Sequence, residues 1–194
     1  MAIMTIDAAI PTSKRTEIIS QALETFYQYG FHTTSVDKVL DKINVSKRTL
    51  YKYFRSKEEL VEQAVRYYQV EAIRVIQEEL ANRSQDPTGK LLALFDWRRE
   101  ILEAGDYSGC FALNAQSEYQ NRSQLIELAC TEFLQGLEKI ISDLCIEARY
   151  PNPSQLTKQL MILLEGVIVY GAARRDSSVA TAAQDIARLL LQQQ

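Results

Sequence analysis

The chain has 194 residues, of which 46% are hydrophobic and 24% are charged. This length fits one large domain or two small ones, and the composition is that of a soluble globular protein. Because the formal net charge is -3, no global positive field exists, and binding to a polyanion must depend on a local basic surface.

The cysteine and histidine content gives no basis for a disulfide framework, a metal site or catalysis. Cys110, Cys130 and Cys145 form no CxxC pair, and His32 has no acid or cysteine at a metal-ligand spacing. No set of converging catalytic groups is found, so we predict no enzyme activity, no metal and no cofactor. The weak signal-peptide character of the N-terminus and the lack of a run near roughly 18 apolar residues favour a cytoplasmic protein without a membrane partner.

Apolar residues recur at helical spacing along the chain, and no useful length alternates with period two. We therefore predict an all-α protein of about nine helices, with few breakers because the chain has only 7 Gly and 4 Pro. In chain order the predicted helices cover about residues 14–29, 33–43, 46–55, 56–80, 88–104, 110–119, 123–149, 154–173 and 178–192.

Several helix ends have recognisable caps. Gly30 follows the first helix where a C-terminal cap belongs. Thr34 with Asp37 and Ser56 with Glu59 have the spacing of capping boxes, which predicts the starts of the second and fourth helices. The tight "INVS" connection then joins the second helix to the third.

A basic cluster occupies the third helix and its flanks. Residues 42 to 57 contain six basic side chains and no acidic one, although the whole chain has more acids than bases. Leu50 and Phe54 stand four apart and are expected to point inward. The residues expected broadly on the other side are Arg48, Thr49, Lys52 and Arg55. Two short helices with this division are typical of a helix-turn-helix, whose second helix enters the DNA major groove.

The segment "GFHTTSVDKVLDKINVSKRTLYKYFRSKEEL", residues 30 to 60, resembles the DNA-binding region of TetR-family transcriptional regulators. The resemblance implies a three-helix DNA-binding domain over residues 14–58 and a helical ligand-binding and dimerisation domain over residues 59–194. Residues 1–13 are expected to form a flexible arm. It also implies a homodimer, formed mainly through the last two helices, that binds double-stranded DNA at a palindromic operator.

The resemblance also implies roles for individual residues. The residues implied to contact bases are Lys47, Arg48 and Thr49, and those implied to contact phosphates are Thr34, Ser35, Tyr51, Lys52, Tyr53 and Lys57. Asn44 stands where glycine is usual, and we expect it to be tolerated because asparagine accepts a left-handed conformation. Arg48 stands where a small residue is common, so no known operator sequence transfers to this chain. The pattern gives Arg55 no role.

The C-terminal half yields candidates for a ligand pocket and a dimer face. The candidate pocket residues are Phe95, Trp97, Cys110, Phe111, Tyr119 and Phe133; the alternative is that they are ordinary core. The candidate dimer residues are Leu160, Leu164, Val167 and Gly171, and the alternative is a helix buried within one subunit. The "SGCFALNAQSEY" stretch resembles one group of these regulators in which some members sense reactive compounds through cysteine, whereas a plain buried thiol is the simpler interpretation of Cys110.

These observations predict a ligand-responsive, DNA-binding repressor that a small-molecule inducer of unknown identity releases from DNA. Two alternatives remain open at this point. One is a cysteine-based sensor or thiol-dependent enzyme that uses Cys110. The other is a helical interaction protein that binds no DNA.

Overall fold

The computed structural model describes residues 13–105 and 107–193, in which all regular secondary structure is helical. The nine helices are α1 Lys14–Tyr29, α2 Val36–Leu40, α3 Lys47–Tyr53, α4 Lys57–Arg83, α5 Pro87–Glu103, α6 Phe111–Tyr119, α7 Gln124–Glu147, α8 Pro153–Arg174 and α9 Ser178–Gln192. Within α8, Val167–Gly171 is π-helical. The all-α prediction is confirmed. The predicted N-terminal arm lies outside the described residues, apart from residue 13.

Most of the helices have a hydroxyl or carboxylate side chain as their N-terminal cap. The Ser46 hydroxyl accepts a hydrogen bond from the Thr49 amide at 3.1 Å, and the Ser56 hydroxyl accepts one from the Glu59 amide at 3.2 Å. Asp86 caps α5 through the Gly89 amide at 2.7 Å. These bonds satisfy backbone donors that the first helical turn leaves free, which explains why each helix begins where it does.

The predicted start and end of α2 need correction. Ser35 rather than Thr34 caps the helix, because its hydroxyl accepts from the Lys38 amide at 3.1 Å. The Thr34 hydroxyl donates instead to the Gly30 carbonyl at 2.6 Å. The helix ends at Leu40, earlier than predicted, and the following turn does not use a left-handed Asn44, whose φ is not positive.

One compact unit, here the N-terminal unit, comprises residues 13–72 and 110–133. It contains α1 to α3, the first part of α4, α6 and the first part of α7. Phe31 lies at its centre, with ring centroids 5.5 Å from Phe26 and 4.9 Å from Phe111. Helix α6 therefore shares an aromatic core with α1 and with the turn that follows it.

The second compact unit, here the C-terminal unit, comprises the described residues of 73–109 and 134–193. In it α5 packs against α9, and the Gln184 amide donates to the Leu92 carbonyl at 2.9 Å. Thr88 and Tyr150 share a hydroxyl hydrogen bond of 2.9 Å. The domain boundary between residues 58 and 59 stays a prediction.

Helix α8 has the length and apolar composition of a membrane span, contrary to the expectation from the sequence. Only 39% of its most apolar window is buried within the chain. A core or interface helix of a soluble protein has the same composition, so these two properties alone do not indicate a membrane.

Candidate nucleic-acid interface

Helix α3 has one buried side and one exposed side. Leu50 is fully buried and Phe54 is 1% exposed, which fixes the helix and its C-terminal end to the rest of the N-terminal unit. The guanidinium of Arg15 lies 5.5 Å from the Phe54 ring centroid, on the rim of this contact. The inward orientation of Leu50 and Phe54 is as the helical spacing predicts.

The opposite side of α3 is basic and aromatic. Of the residues proposed there for DNA contact, only Thr49 is partly covered; those exposed are Lys47, Arg48, Tyr51, Lys52 and Tyr53. Arg55, to which the sequence pattern gives no role, is also exposed beside them. Basic groups and phenol hydroxyls on one surface supply the donors that phosphate oxygens and guanine edges require.

An ion pair restrains the first residue of α3. Lys47 Nζ lies 2.9 Å from Asp37 Oδ2, and both side chains are more than half exposed. The hydrogen bond from Lys47 to the Asp37 carboxylate, together with its charge, raises the pKa of Lys47. Lys47 thus remains charged, but part of its donor capacity is already occupied by α2.

The remaining phosphate candidates differ in accessibility. Ser35 is exposed, whereas the Thr34 side chain is fully buried and its hydroxyl is bonded to Gly30. Lys57 is partly covered, and its Nζ is 3.4 Å from the His32 carbonyl oxygen. Burial lowers the pKa of Lys57. Thr34 therefore has a structural contact in place of a free hydroxyl.

A contact that sequence spacing does not reveal joins α6 to the turn after α1. The Glu118 carboxylate accepts hydrogen bonds from the Phe31 amide at 3.1 Å and the His32 amide at 2.9 Å. The His32 ring lies 2.9 Å from the Glu118 carbonyl oxygen and 3.1 Å from an Arg122 nitrogen. A separation of 86 or 87 residues leaves no periodic signal for these bonds.

The six candidate pocket residues are all buried, but they divide between the two compact units. Phe95 and Trp97 belong to the C-terminal unit, and the other four belong to the N-terminal unit. There, the Tyr68 ring lies 5.5 Å from Phe111 and 5.2 Å from Phe133. Such mutual ring contacts are those of a packed aromatic core, which was the alternative interpretation.

All three cysteines are buried. Cys110 is 2% exposed, and its Sγ is 3.6 Å from the Tyr68 hydroxyl. Burial raises the pKa of Cys130 to about 12, and burial also raises the pKa of Cys145. Because the thiolate is the reactive form, this environment suppresses reaction at Cys130 and Cys145.

The proposed dimer residues of α8 point into the C-terminal unit and require correction. They are all buried within this single chain: Leu160, Leu164, Val167 and Gly171. A Cβ added at Gly171 would lie 2.8 Å from a Leu102 methyl carbon, so its close approach is to α5. The exposed apolar residues of α8 and α9 are Ile162, Val169, Tyr170, Ile186 and Leu189.

The chain thus has a helix-turn-helix with an exposed basic recognition helix in an all-helical protein, which defines a class of DNA-binding regulators. Residues 18–64 match the family model for bacterial regulatory proteins of the tetR family. Residues 18–64 thus carry the DNA-binding region of this family, and the comparisons support a TetR-family helix-turn-helix transcriptional regulator. The family and the relatives described next are transcriptional regulators rather than enzymes, so the thiol-dependent enzyme alternative is wrong.

One relative matches most of the chain, and another matches a quarter of it at higher identity. The transcriptional regulator YjdC of Escherichia coli K12 is 20% identical over 92% of this chain and 93% of its own length. RutR of the same strain is 45% identical over 49 residues, which are 25% of this chain and 23% of RutR.

Solved structures share the fold. Reduced E. coli NemR has a TM-score of 0.79 at 19% identity, covering 90% of this chain and 95% of NemR. Bacillus subtilis FadR in complex with stearoyl-CoA has a TM-score of 0.71 at 17% identity, covering 90% of this chain and 97% of FadR.

Proposed function

We propose that this TetR-family regulator is a cytoplasmic, homodimeric repressor that binds a palindromic operator and is released by a small molecule. The observation that carries the proposal is the division of α3, with Leu50 buried and the basic residues Arg48 and Lys52 exposed. That division lets a helix dock on its scaffold while its outer side enters the major groove.

The proposed contacts on DNA fall into two groups. Arg48 is exposed near the N-terminal end of α3, and its forked guanidinium suits the O6 and N7 acceptors of guanine. Lys47 and Thr49 are proposed to assist base reading, with Lys47 leaving or sharing Asp37. Ser35, Tyr51, Lys52, Tyr53 and Lys57 are proposed to contact phosphates. We assign Thr34 to holding the turn through Gly30, because its hydroxyl is already bonded.

A dimer is proposed through the outer faces of α8 and α9. Ile162, Gly166 and Val169 recur at the spacing of one helical face, and all three are exposed. A Cβ added at Gly166 would meet no atom within 4 Å, so this part of the face is open. On α9, Ile186 and Leu189 are exposed three residues apart. A second copy would cover these apolar side chains, which supports this choice of interface.

Ligand control is proposed because FadR, which shares the fold, is named as a complex with stearoyl-CoA. In a dimer, recognition helices about 34 to 36 Å apart would read successive major grooves of the palindrome. A ligand that binds the wrongly spaced state more tightly would release DNA, with a coupling of typically about 1 to 3 kcal/mol. Of the candidate pocket residues, we favour Phe95 and Trp97 in the C-terminal unit, because the other four contribute to the packed core of the N-terminal unit.

The test is a pair of binding isotherms, one on the operator recovered by genomic DNA pull-down and one on random DNA of equal length. Arg48→Ala is expected to lose preference for the operator, whereas Lys57→Ala is expected to weaken binding to both DNAs similarly. Equal loss on both DNAs for Arg48→Ala would remove its base-reading role. Binding that does not depend on salt would favour the helical interaction protein instead.

A further inference from the structure

Arg98 is a buried cation in the C-terminal unit. It lies on α5 and is 2% exposed, although arginine is among the residues that are almost never fully buried unless paired. Among the buried residues that the structure describes, Glu62 and Arg98 are the charged ones, and Glu62 pairs with Arg66. Glu62 thus has an ion-pair partner, whereas no ion pair with a described residue is found for Arg98.

The Arg98 side chain has an unsatisfied donor among the described residues. Its buried Nε atom is without a hydrogen-bond partner there. Its nearest described interaction is with the adjacent Trp97 ring, whose centroid lies 4.8 Å from the guanidinium carbon. An aromatic face attracts a cation, but it accepts none of the directed N–H bonds of the guanidinium fork.

The acids of α5 do not neutralise Arg98, because other arginines engage them. Glu100 lies 2.6 Å from Arg83, and Asp96 lies 3.2 Å from Arg99. Glu103 lies 3.8 Å from the Arg99 side chain. A guanidinium keeps its charge in a protein interior, and removing it from water is costly unless an anion compensates. The unpaired Nε donor therefore calls for an acceptor from outside the described residues.

We propose that Arg98 binds the carboxylate of the effector, and that the effector is a monocarboxylic acid with an apolar body. This inference rests on the proposed ligand response. Arg98 is the only charged residue among the buried ones that the structure describes in the C-terminal unit, so it balances a single negative charge. A carboxylate carries one charge and accepts two parallel N–H bonds from a guanidinium, whereas a phosphate monoester carries close to two charges.

The apolar body follows from the neighbours of Arg98 along α5. Leu94 and Ile101 are four residues before and three after it, on the same helical face, and both are buried. Trp97, beside the guanidinium, is 6% exposed. Apolar and aromatic surroundings with one convergent charged group are typical of small-molecule sites.

Trp97 makes the test direct, because it is the only tryptophan of the chain. Its fluorescence is followed during titration with octanoate and phenylacetate, and with octanamide and phenylacetamide as neutral counterparts. We expect saturable binding of at least one acid and at least about tenfold weaker binding of its amide, since a charge-assisted bond is lost. No saturable response to either acid, or equal affinity for acid and amide, would overturn the proposal.

Arg98→Met removes the charge and retains an unbranched apolar chain, and it is expected to weaken acid binding at least about tenfold. The matched control is Arg99→Met, because Arg99 is the next residue, is partly exposed and already pairs with acids. Arg98→Lys keeps the charge but loses the fork, and an intermediate loss is expected. It also provides the decisive variant if Arg98→Met fails to fold. Unchanged affinity in a folded variant at residue 98 contradicts the proposal.

Operator binding in the same samples separates this inference from the proposed function. Acid binding by a protein that binds no operator would support the Arg98 site and count against a repressor. Operator binding that only neutral compounds release would support the repressor and overturn the carboxylate assignment.

Discussion

Lys47 and Asp37 form an ion pair of 2.9 Å that joins the first residue of the recognition helix to α2. Both side chains are more than half exposed, so water screens the pair and its contribution to folding stability is small. The position of the pair matters more, because Lys47 is proposed to face DNA and an acid beside it would oppose the approach of phosphate. The pair is therefore expected to affect DNA binding more than folding.

Asp37→Asn is expected to strengthen DNA binding. The substitution removes one negative charge and frees Lys47, so affinity should rise several-fold and the slope of log K against log salt should steepen by about one. The measurement is fluorescence anisotropy on operator and random DNA over a salt series. Asp143→Asn is the control, since it breaks a comparable exposed pair with Lys139 in the C-terminal unit. Weaker operator binding by Asp37→Asn would mean that Asp37 positions Lys47 productively.

Two tyrosine hydroxyls, one on a buried residue and one on a partly buried residue, allow a comparison of stability. The Tyr119 hydroxyl has no hydrogen-bond partner among the described residues, whereas the Tyr150 hydroxyl bonds to Thr88 at 2.9 Å. Tyr119→Phe is expected to be neutral or to stabilise by up to about 1 kcal/mol, and Tyr150→Phe to destabilise by about 1 kcal/mol. Urea unfolding measures both free energies. Equal destabilisation by the two variants would show that the Tyr119 hydroxyl has a partner.

Alkaline pH is expected to destabilise the N-terminal unit through Tyr119 and Cys130. Burial, with the nearby charges of Glu58 and Glu118, raises the pKa of Tyr119 from 10.0 to about 12. Burial raises the pKa of Cys130 from 9.0 to about 12. Both folded-state pKa values exceed the ordinary ones, so folding favours the neutral forms of these two groups. Their contribution to folding stability is fully present below pH 9.0 and is lost as pH rises toward about 12.

The measurement is the unfolding free energy in urea at about pH 8 and about pH 11. Tyr119→Phe removes one of the two titrating groups, so its loss of stability between these pH values is expected to be smaller than that of the wild type. Identical losses would exclude Tyr119 as a source of the pH dependence.

The sequence predicts the helices well but predicts less well which side of an apolar helix faces inward. Amphipathic spacing and caps locate α3 and α5, because their buried residues and N-terminal acceptors form local patterns. Helix α8 is apolar on both sides, so spacing alone does not separate buried Leu160 from exposed Ile162. Neighbouring helices decide that choice, and their positions are not encoded in local periodicity.

In the candidate site, too, features that depend on local periodicity could be predicted, whereas features that depend on contacts with other parts of the chain could not. The exposed surface of α3 follows from its periodicity and from the family pattern, whereas the burial of Thr34 depends on a bond to Gly30 that competes with helix capping. The bonds of Glu118 to the turn at Phe31 and His32 connect distant parts of the chain. The lack of a partner for the Nε atom of Arg98 becomes visible only when the positions of the acids of α5 are known.

Ile162→Asp is expected to dissociate the proposed dimer without unfolding the subunit. Ile162 is 70% exposed on α8, so the substitution places a charge on the proposed interface and leaves the core unchanged. Leu189→Asp on α9 should have the same effect, since Leu189 is 58% exposed. The measurement is sedimentation equilibrium, with circular dichroism to verify the fold. The control is Val70→Asp, an exposed apolar position in the N-terminal unit.

Operator affinity should fall in parallel with the dimer fraction, because a monomer presents one recognition helix to a two-fold palindrome. A subunit that stays dimeric with aspartate at both residues 162 and 189 would place the interface elsewhere. Loss of operator binding by Val70→Asp with the dimer intact would instead indicate a separate effect within the N-terminal unit.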